Sequence, residues 1–127
     1  MTLAPPRVGV DIVRVARIRR VFGRGSEDRL RAVFAASEIA DCRMRASPFE
    51  SLAARFAAKE SFVKAVSGAG RDTVGPRDVV VVLDEMGVPR LETRGSATRA
   101  MHAIGCSRAA LSISHERAYA IAVVLLM

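Results

Sequence analysis

Tryptophan is absent from the chain, tyrosine occurs once, and aromatic residues make up only 5% of it. So few flat side chains give little platform for stacking the bases of a single-stranded nucleic acid, and no DNA- or RNA-binding motif is visible. Cysteine occurs twice, at Cys42 and Cys106, without a CxxC pair or zinc spacing. Neither a disulfide framework nor a structural zinc site is therefore expected. No apolar run reaches the 18 or so residues of a membrane span; the stretch Ala118–Met127 is apolar but short, and reads as a buried strand. Met1–Pro6 lacks the basic segment and apolar core of a secretory signal. The expectation is a cytoplasmic protein whose 127 residues form one domain, 1–127, with no membrane and no nucleic-acid partner.

Lysine is scarce as well. The chain carries 20 basic and 13 acidic side chains, a net charge of +7, and all its basic residues except Lys59 and Lys64 are arginine. The surplus favours an anionic partner: nucleic acid, a phosphorylated ligand or an acidic protein. Both lysines fall in one short segment. A compact ammonium serves phosphate as a point charge, whereas arginine offers a planar fork.

Periodicity organises the rest. Arg7–Val13 alternates as a half-buried strand does. Val15, Ile18 and Phe22 then follow helical spacing, with Arg14, Arg17, Arg20 and Arg24 on another face and Gly23 and Gly25 as the stop. Further helices are predicted over Glu27–Phe34 and, capped by Ser37, through Cys42. Pro48–Val66 is the strongest helix, with an apolar stripe of Leu52, Phe56, Val63 and Val66. Val79–Leu83 and Val88–Thr93 read as a hairpin around an Asp84–Gly87 turn. Ser96 is predicted to cap a helix to Ile104, and Ala109–Ser114 with Ala118–Leu126 form a second hairpin around His115–Arg117. Two adjacent hairpins point to an α+β fold: a small antiparallel sheet with packed helices.

Three constellations stand out. Asp11 sits at a strand-to-helix transition, where an aspartate can also be a helix cap. Glu60 and Lys64, four apart, share a helix face with Arg55 and Lys59 nearby, and Ser67, Gly68 and Gly70 form a glycine-rich exit. Such lysines beside open backbone N–H groups suit phosphate. Ser112-Ile113-Ser114-His115-Glu116 occupies a hairpin tip.

Taken in order, Gly9-Val10-Asp11-Ile12-Val13, then RFAAKESFVKA, DEMGVPRL and SISHERAYAIAVV, resemble the holo-acyl-carrier-protein synthases, the short single-domain 4′-phosphopantetheinyl transferases, from Val8 to Leu126. The resemblance implies a transfer of phosphopantetheine from coenzyme A to a serine of an acidic acyl carrier protein, releasing 3′,5′-ADP. It assigns Mg²⁺ to Asp11 and Glu60, and charge neutralisation to Lys64. It sets His115 and Arg55 against the coenzyme A phosphates, and Ser67, Gly68 and Gly70 around the pantetheine-phosphate region. Gly87 and Pro89 fall at the nucleotide end. The general base stays open among Glu60, a metal-associated water and Lys64. The first-helix arginines Arg14, Arg17 and Arg24 correspond to the carrier-docking face, and the family's trimers carry active sites between subunits. Two departures accompany these matches. Val66-Ser67-Gly68-Ala69-Gly70 stands where the family has an aromatic or leucine before Gly-Thr-Gly, and Met86-Gly87-Val88-Pro89 stands for Asn-Gly-Lys-Pro. The second removes a lysine, for which Arg90 is the candidate replacement. A nucleic-acid module and a catalytically silent carrier-binding relative are the competing readings. The first leaves Asp11, Glu60 and the paired lysines without a role.

Overall fold

The computed structural model describes residues 5–67 and 73–127. Five strands and five α-helices follow in the order β1 (Arg7–Arg14), α1 (Val15–Phe22), α2 (Glu27–Val33), α3 (Ala36–Arg43), α4 (Pro48–Ala65), β2 (Val79–Leu83), β3 (Pro89–Thr93), α5 (Gly95–Ala103), β4 (Ala109–His115) and β5 (Tyr119–Leu126). A 3-10 turn at Pro76–Asp78 leads into β2. The elements match the sequence expectation closely, and the α+β class holds. Instead of one sheet there are two, both antiparallel: a three-stranded sheet ordered β1-β5-β4 and the separate β2-β3 hairpin.

Alternation in β1 and β5 has a direct consequence. Val13, Ala120, Ala122 and Val124 point inward beneath α4 and are buried, while Val8, Val10, Ile12, Ile121 and Val123 point away and are exposed. The inward face is mostly small, and that lets α4 approach closely. At Gly9 the approach is closest, where a Cβ would lie 1.8 Å from the Ser61 carbonyl oxygen. The Ser61 hydroxyl in turn donates to the Ala122 carbonyl at 2.8 Å.

This explains why the apolar stripe read from α4 is only partly right. Leu52 and Val66 are buried, but Val63 is exposed. The buried surface runs instead through Ala53, Ala54, Ala57, Ala58, Ser61, Phe62 and Ala65. A helix sandwiched between a sheet and other helices is covered on several sides, and alanine permits this without leaving an amphipathic signature.

Two expected caps differ as well. Ser37 lies inside α3, whose first residues are held by the Glu38 carboxylate accepting the Ala35 N–H at 3.0 Å. Ser96 lies inside α5 and donates to Asp78 Oδ2 from both its amide, at 2.9 Å, and its hydroxyl, at 2.6 Å. In both places a carboxylate does what a hydroxyl was expected to do. Those hydrogen bonds hold the Asp78 carboxyl below its ordinary range.

Candidate active site

Helix α4 carries most of the residues singled out in the sequence, and its geometry distributes them. Glu50, Ser51, Ala54 and Arg55 lie on one flank, Glu60 and Lys64 on another. At 3.6 residues per turn the two groups point about 130° apart.

On the Lys64 flank, α4 faces the edge strand β1. The Lys64 ammonium donates to Asp11 Oδ1 and to the Val10 carbonyl, each at 3.0 Å. Lys64 turns to the strand rather than to Glu60, so the intrahelical ion pair that the spacing allows is not the one formed. Asp11 is a paired strand residue opposite Ala122, not a helix cap; Arg14 stands at the head of α1. Glu60 is exposed. Asp11 and Glu60 thus present two hard carboxylate donors on the flank that Lys64 spans, a set suited to Mg²⁺ with waters and substrate phosphate completing the shell.

On the other flank lies a cavity of about 450 Å³ between α4, the β2-β3 hairpin and the end of β4. Arg55, Gly87, Pro89 and His115 all line it, four residues brought together from three distant parts of the sequence. Its apolar walls come from Val81, Leu83 and Ile113, and its polar groups from Arg45, Ser47, Glu50, Arg55 and His115. Gly87 adopts φ +79°, a conformation that favours glycine. The Asp84 carboxylate secures the same turn by accepting the Val88 and Met86 N–H groups at 2.9 and 2.8 Å, which holds its carboxyl below the ordinary range. Arg90 pairs with Asp84 Oδ2 at 3.2 Å and is absent from the cavity lining. Arg55 is buried, bonded to the Asp41 carboxylate and the Ser51 carbonyl, yet its Nε has no partner. With Arg45, Arg55 and His115 all in its lining, the cavity suits an anionic ligand.

Lys59 departs from the expectation that both lysines serve phosphate. Its ammonium is buried and held by Glu38 Oε1 at 2.7 Å and by the Pro76 and Val79 carbonyls. Burial pushes its pKa down, against the opposing pull of Glu38. Glu38 also accepts the Val81 N–H at 3.0 Å, so this pair clamps α3, α4 and β2 together. Sequence patterning missed Glu38. Its only trace is a carboxylate lodged between Phe34-Ala35 and Ile39-Ala40.

Arg14, Arg17 and Arg24 are exposed, as a docking face requires. Ser67 is exposed, and its carbonyl accepts from the Arg7 guanidinium, which also donates to the Ala65 carbonyl at 3.1 Å. Gly68 and Gly70 lie outside the described residues. Residues of the two flanks do not meet within one chain. β1 and β4 are the outer strands on either side of β5, which sets Asp11 and the His115 edge about 10 Å apart in strand spacing alone, with α4 between them. No helix among the described residues is long and apolar enough to cross a membrane.

Comparison with known proteins agrees with this architecture. The family model of the 4′-phosphopantetheinyl transferase superfamily matches residues 7–124. The holo-[acyl-carrier-protein] synthase of Halothermothrix orenii is 42% identical over 118 residues, covering 93% of this chain and 94% of its own. Among solved structures, the ACPS–CoA complex of Chronobacterium ammoniagenes superposes with a TM-score of 0.83 at 35% identity, covering 98% of each chain. The Helicobacter pylori holo-[acyl-carrier-protein] synthase in complex with coenzyme A does so with a TM-score of 0.80 at 28% identity, covering 94% of this chain and 99% of that one. With its two small antiparallel sheets, its long α4 and a match running almost end to end, the chain belongs to the 4′-phosphopantetheinyl transferase superfamily.

Proposed function

We propose that this protein is a Mg²⁺-dependent holo-acyl-carrier-protein synthase that uses coenzyme A as donor and an acidic apo carrier protein as acceptor. The observation that carries the reading is the cavity joining Arg55, Gly87, Pro89 and His115, with Arg45, Arg55 and His115 supplying cationic groups to its lining. The anionic nucleotide end of coenzyme A enters this cavity, and its pyrophosphate reaches the Asp11–Lys64 flank. There Asp11 and Glu60 hold the metal, whose chemistry is Lewis-acid polarisation of the phosphate oxygens. The carrier serine oxygen forms a bond to the β-phosphorus as the bond from that phosphorus to the bridging oxygen breaks, and 3′,5′-ADP leaves. Lys64 offsets the charge that develops on the phosphate oxygens. The serine proton passes, in this reading, to Glu60 or to a water beside it. Arg14, Arg17 and Arg24 steer the acidic carrier onto α1.

Because each chain carries its two half-sites on opposite flanks of α4, we infer that the working enzyme is a homotrimer whose sites join Asp11, Glu60 and Lys64 of one subunit to the cavity of the next. Val8 and Ile12, each 63% exposed, and Val10, Ile121 and Val123 form an apolar sheet face that a second copy would cover. A cytoplasmic setting fits a substrate that is a cellular carrier protein.

Intact-protein mass spectrometry of an apo acyl carrier protein with coenzyme A and Mg²⁺ tests the reading. The carrier should gain one phosphopantetheine, and the gain should vanish with EDTA or with Glu60→Ala. A folded protein that binds coenzyme A yet modifies no carrier would instead be the silent carrier-binding relative.

A further inference from the structure

Glu50 is the acidic member of an otherwise cationic cavity. It belongs to the first turn of α4, and its Oε1 lies 3.3 Å from His115 Nδ1, joining α4 to the end of β4. A carboxylate inside an anion site repels the ligand unless it does something else. Here its geometry gives it one task. With Nδ1 turned to Glu50, the imidazole's Nε2 is the nitrogen left for a ligand.

We propose that Glu50 is a positioning residue for coenzyme A binding, its carboxylate accepting a hydrogen bond from the Nδ1–H of His115 so that the ring presents a second N–H, on Nε2, to a phosphate oxygen in the cavity. The imidazolium then lies between two anions, each satisfied by one ring N–H, and the carboxylate offsets the cost of holding a charged ring in a partly enclosed site. The Ser47 hydroxyl and then His115 itself hold the Glu50 carboxyl below its ordinary range, so it is ready to accept. The other charged groups around the pair are all cationic or peripheral. Arg45 and Arg55 line the same wall, Arg117 acts on Glu50 from the β4-β5 turn, and Glu116 follows His115 in the chain. The β2-β3 wall contributes Val81, Leu83, Gly87 and Pro89, with no charge. Among the described residues lining this cavity, Glu50 is the one carboxylate, and it lies within hydrogen-bonding distance of the ring.

The inference rests on the reading of the cavity as the coenzyme A site, and a double-mutant cycle separates the two. Steady-state transfer with coenzyme A and Mg²⁺ would be measured for Glu50→Gln, His115→Gln and the double variant. Each single variant should raise the KM for coenzyme A about tenfold with kcat within about twofold, and the double variant should be no worse than His115→Gln, because Glu50 acts through the ring. A KM effect of Glu50→Gln that persists in full on the His115→Gln background would overturn the proposal while leaving the cavity reading intact. An unchanged KM in His115→Gln would overturn both. Nitrogen-15 NMR of His115 supplies a readout that a purely structural role would not move. In the coenzyme A complex at about pH 7.5 both ring nitrogens should be protonated in the wild type and only one in Glu50→Gln. Identical ring signals in the two proteins would also sink the idea.

Discussion

Lys64 crosses from α4 to the first strand and places its ammonium 3.0 Å from the Asp11 carboxylate. More than half of the lysine side chain is exposed, so the contact contributes little to stability, less than about 1 kcal/mol. Its value is electrostatic: it holds a mobile cation beside the carboxylate proposed to bind metal. Lys64→Ala should therefore leave the thermal midpoint nearly unchanged and cut the transfer rate by about a hundredfold, the usual loss when one preorganised charge is removed from a phosphoryl-transfer site. Initial rates from the carrier's mass shift would check it, and wild-type rates in the variant would remove Lys64 from the mechanism.

Lys59, five residues earlier, should behave in the opposite sense. Its side chain is 3% exposed and that of Glu38 is fully buried. Deleting one partner strands the other charge in a low-dielectric interior. Lys59→Ala is expected to cost about 3–5 kcal/mol in urea unfolding, and adding Glu38→Gln should recover part of that loss. A cost below 1 kcal/mol would mean that the pair is not buried in solution.

These two lysines show what the sequence made legible. Strand and helix positions follow from periodicity, and the motifs that hold Asp11, Glu60, Lys64 and His115 pointed to the family that the comparisons show. Which lysine faces solvent could not be read, because α4 is alanine-rich and covered on several sides, so its apolar pattern carries no direction. Glu38, Glu50 and Asp78 escaped for a related reason. Each acts on a backbone or side chain distant in sequence, and only the tertiary fold brings the acceptor to its donor.

The approach of α4 to β1 makes a further demand. A methyl group at position 9 would fall 1.8 Å from the Ser61 carbonyl oxygen and 2.9 Å from the Ala65 nitrogen, both backbone atoms that cannot swing aside. Gly9→Ala must then push α4 off the sheet, at a cost expected to exceed about 3 kcal/mol. Because Asp11 and Lys64 bridge the same two elements, transfer should fall together with stability. Calorimetry of the variant tests this, and an unshifted midpoint would contradict the packing.

Asp78 gives the fold an acid limb. The Ser96 hydroxyl and amide lower its pKa from 3.8, so the folded state binds a proton less readily than the unfolded chain. Its contribution is therefore complete above the unfolded value and is lost as pH falls through the folded one. Glu50 and Asp84 are shifted in the same direction and share that window. The wild-type melting temperature should drop below about pH 4, and Asp78→Asn, less stable at neutrality, should show a shallower decline over the same interval. Parallel curves would mean that the carboxylate contributes nothing.

The separation of the half-sites by α4 leads to the most discriminating measurement. If each site takes Asp11 from one subunit and His115 from the next, Asp11→Ala and His115→Ala homotrimers, assayed at coenzyme A well below the wild-type KM, are each defective in every site, for different reasons. Unfolded together in equal amounts and refolded, the two chains should assemble mixed trimers. A site is intact when its Asp11 side comes from the His115→Ala chain and its His115 side from the Asp11→Ala chain. Random assembly meets both conditions in about one site in four, so about a quarter of wild-type activity should return. A site built within one chain gives no recovery, since every chain then carries a defect in its own site. Replacing Val123 with glutamate on the exposed sheet face should abolish both the recovery and the trimer in sedimentation. That links the apolar face to the composite site through one variant and two independent readouts.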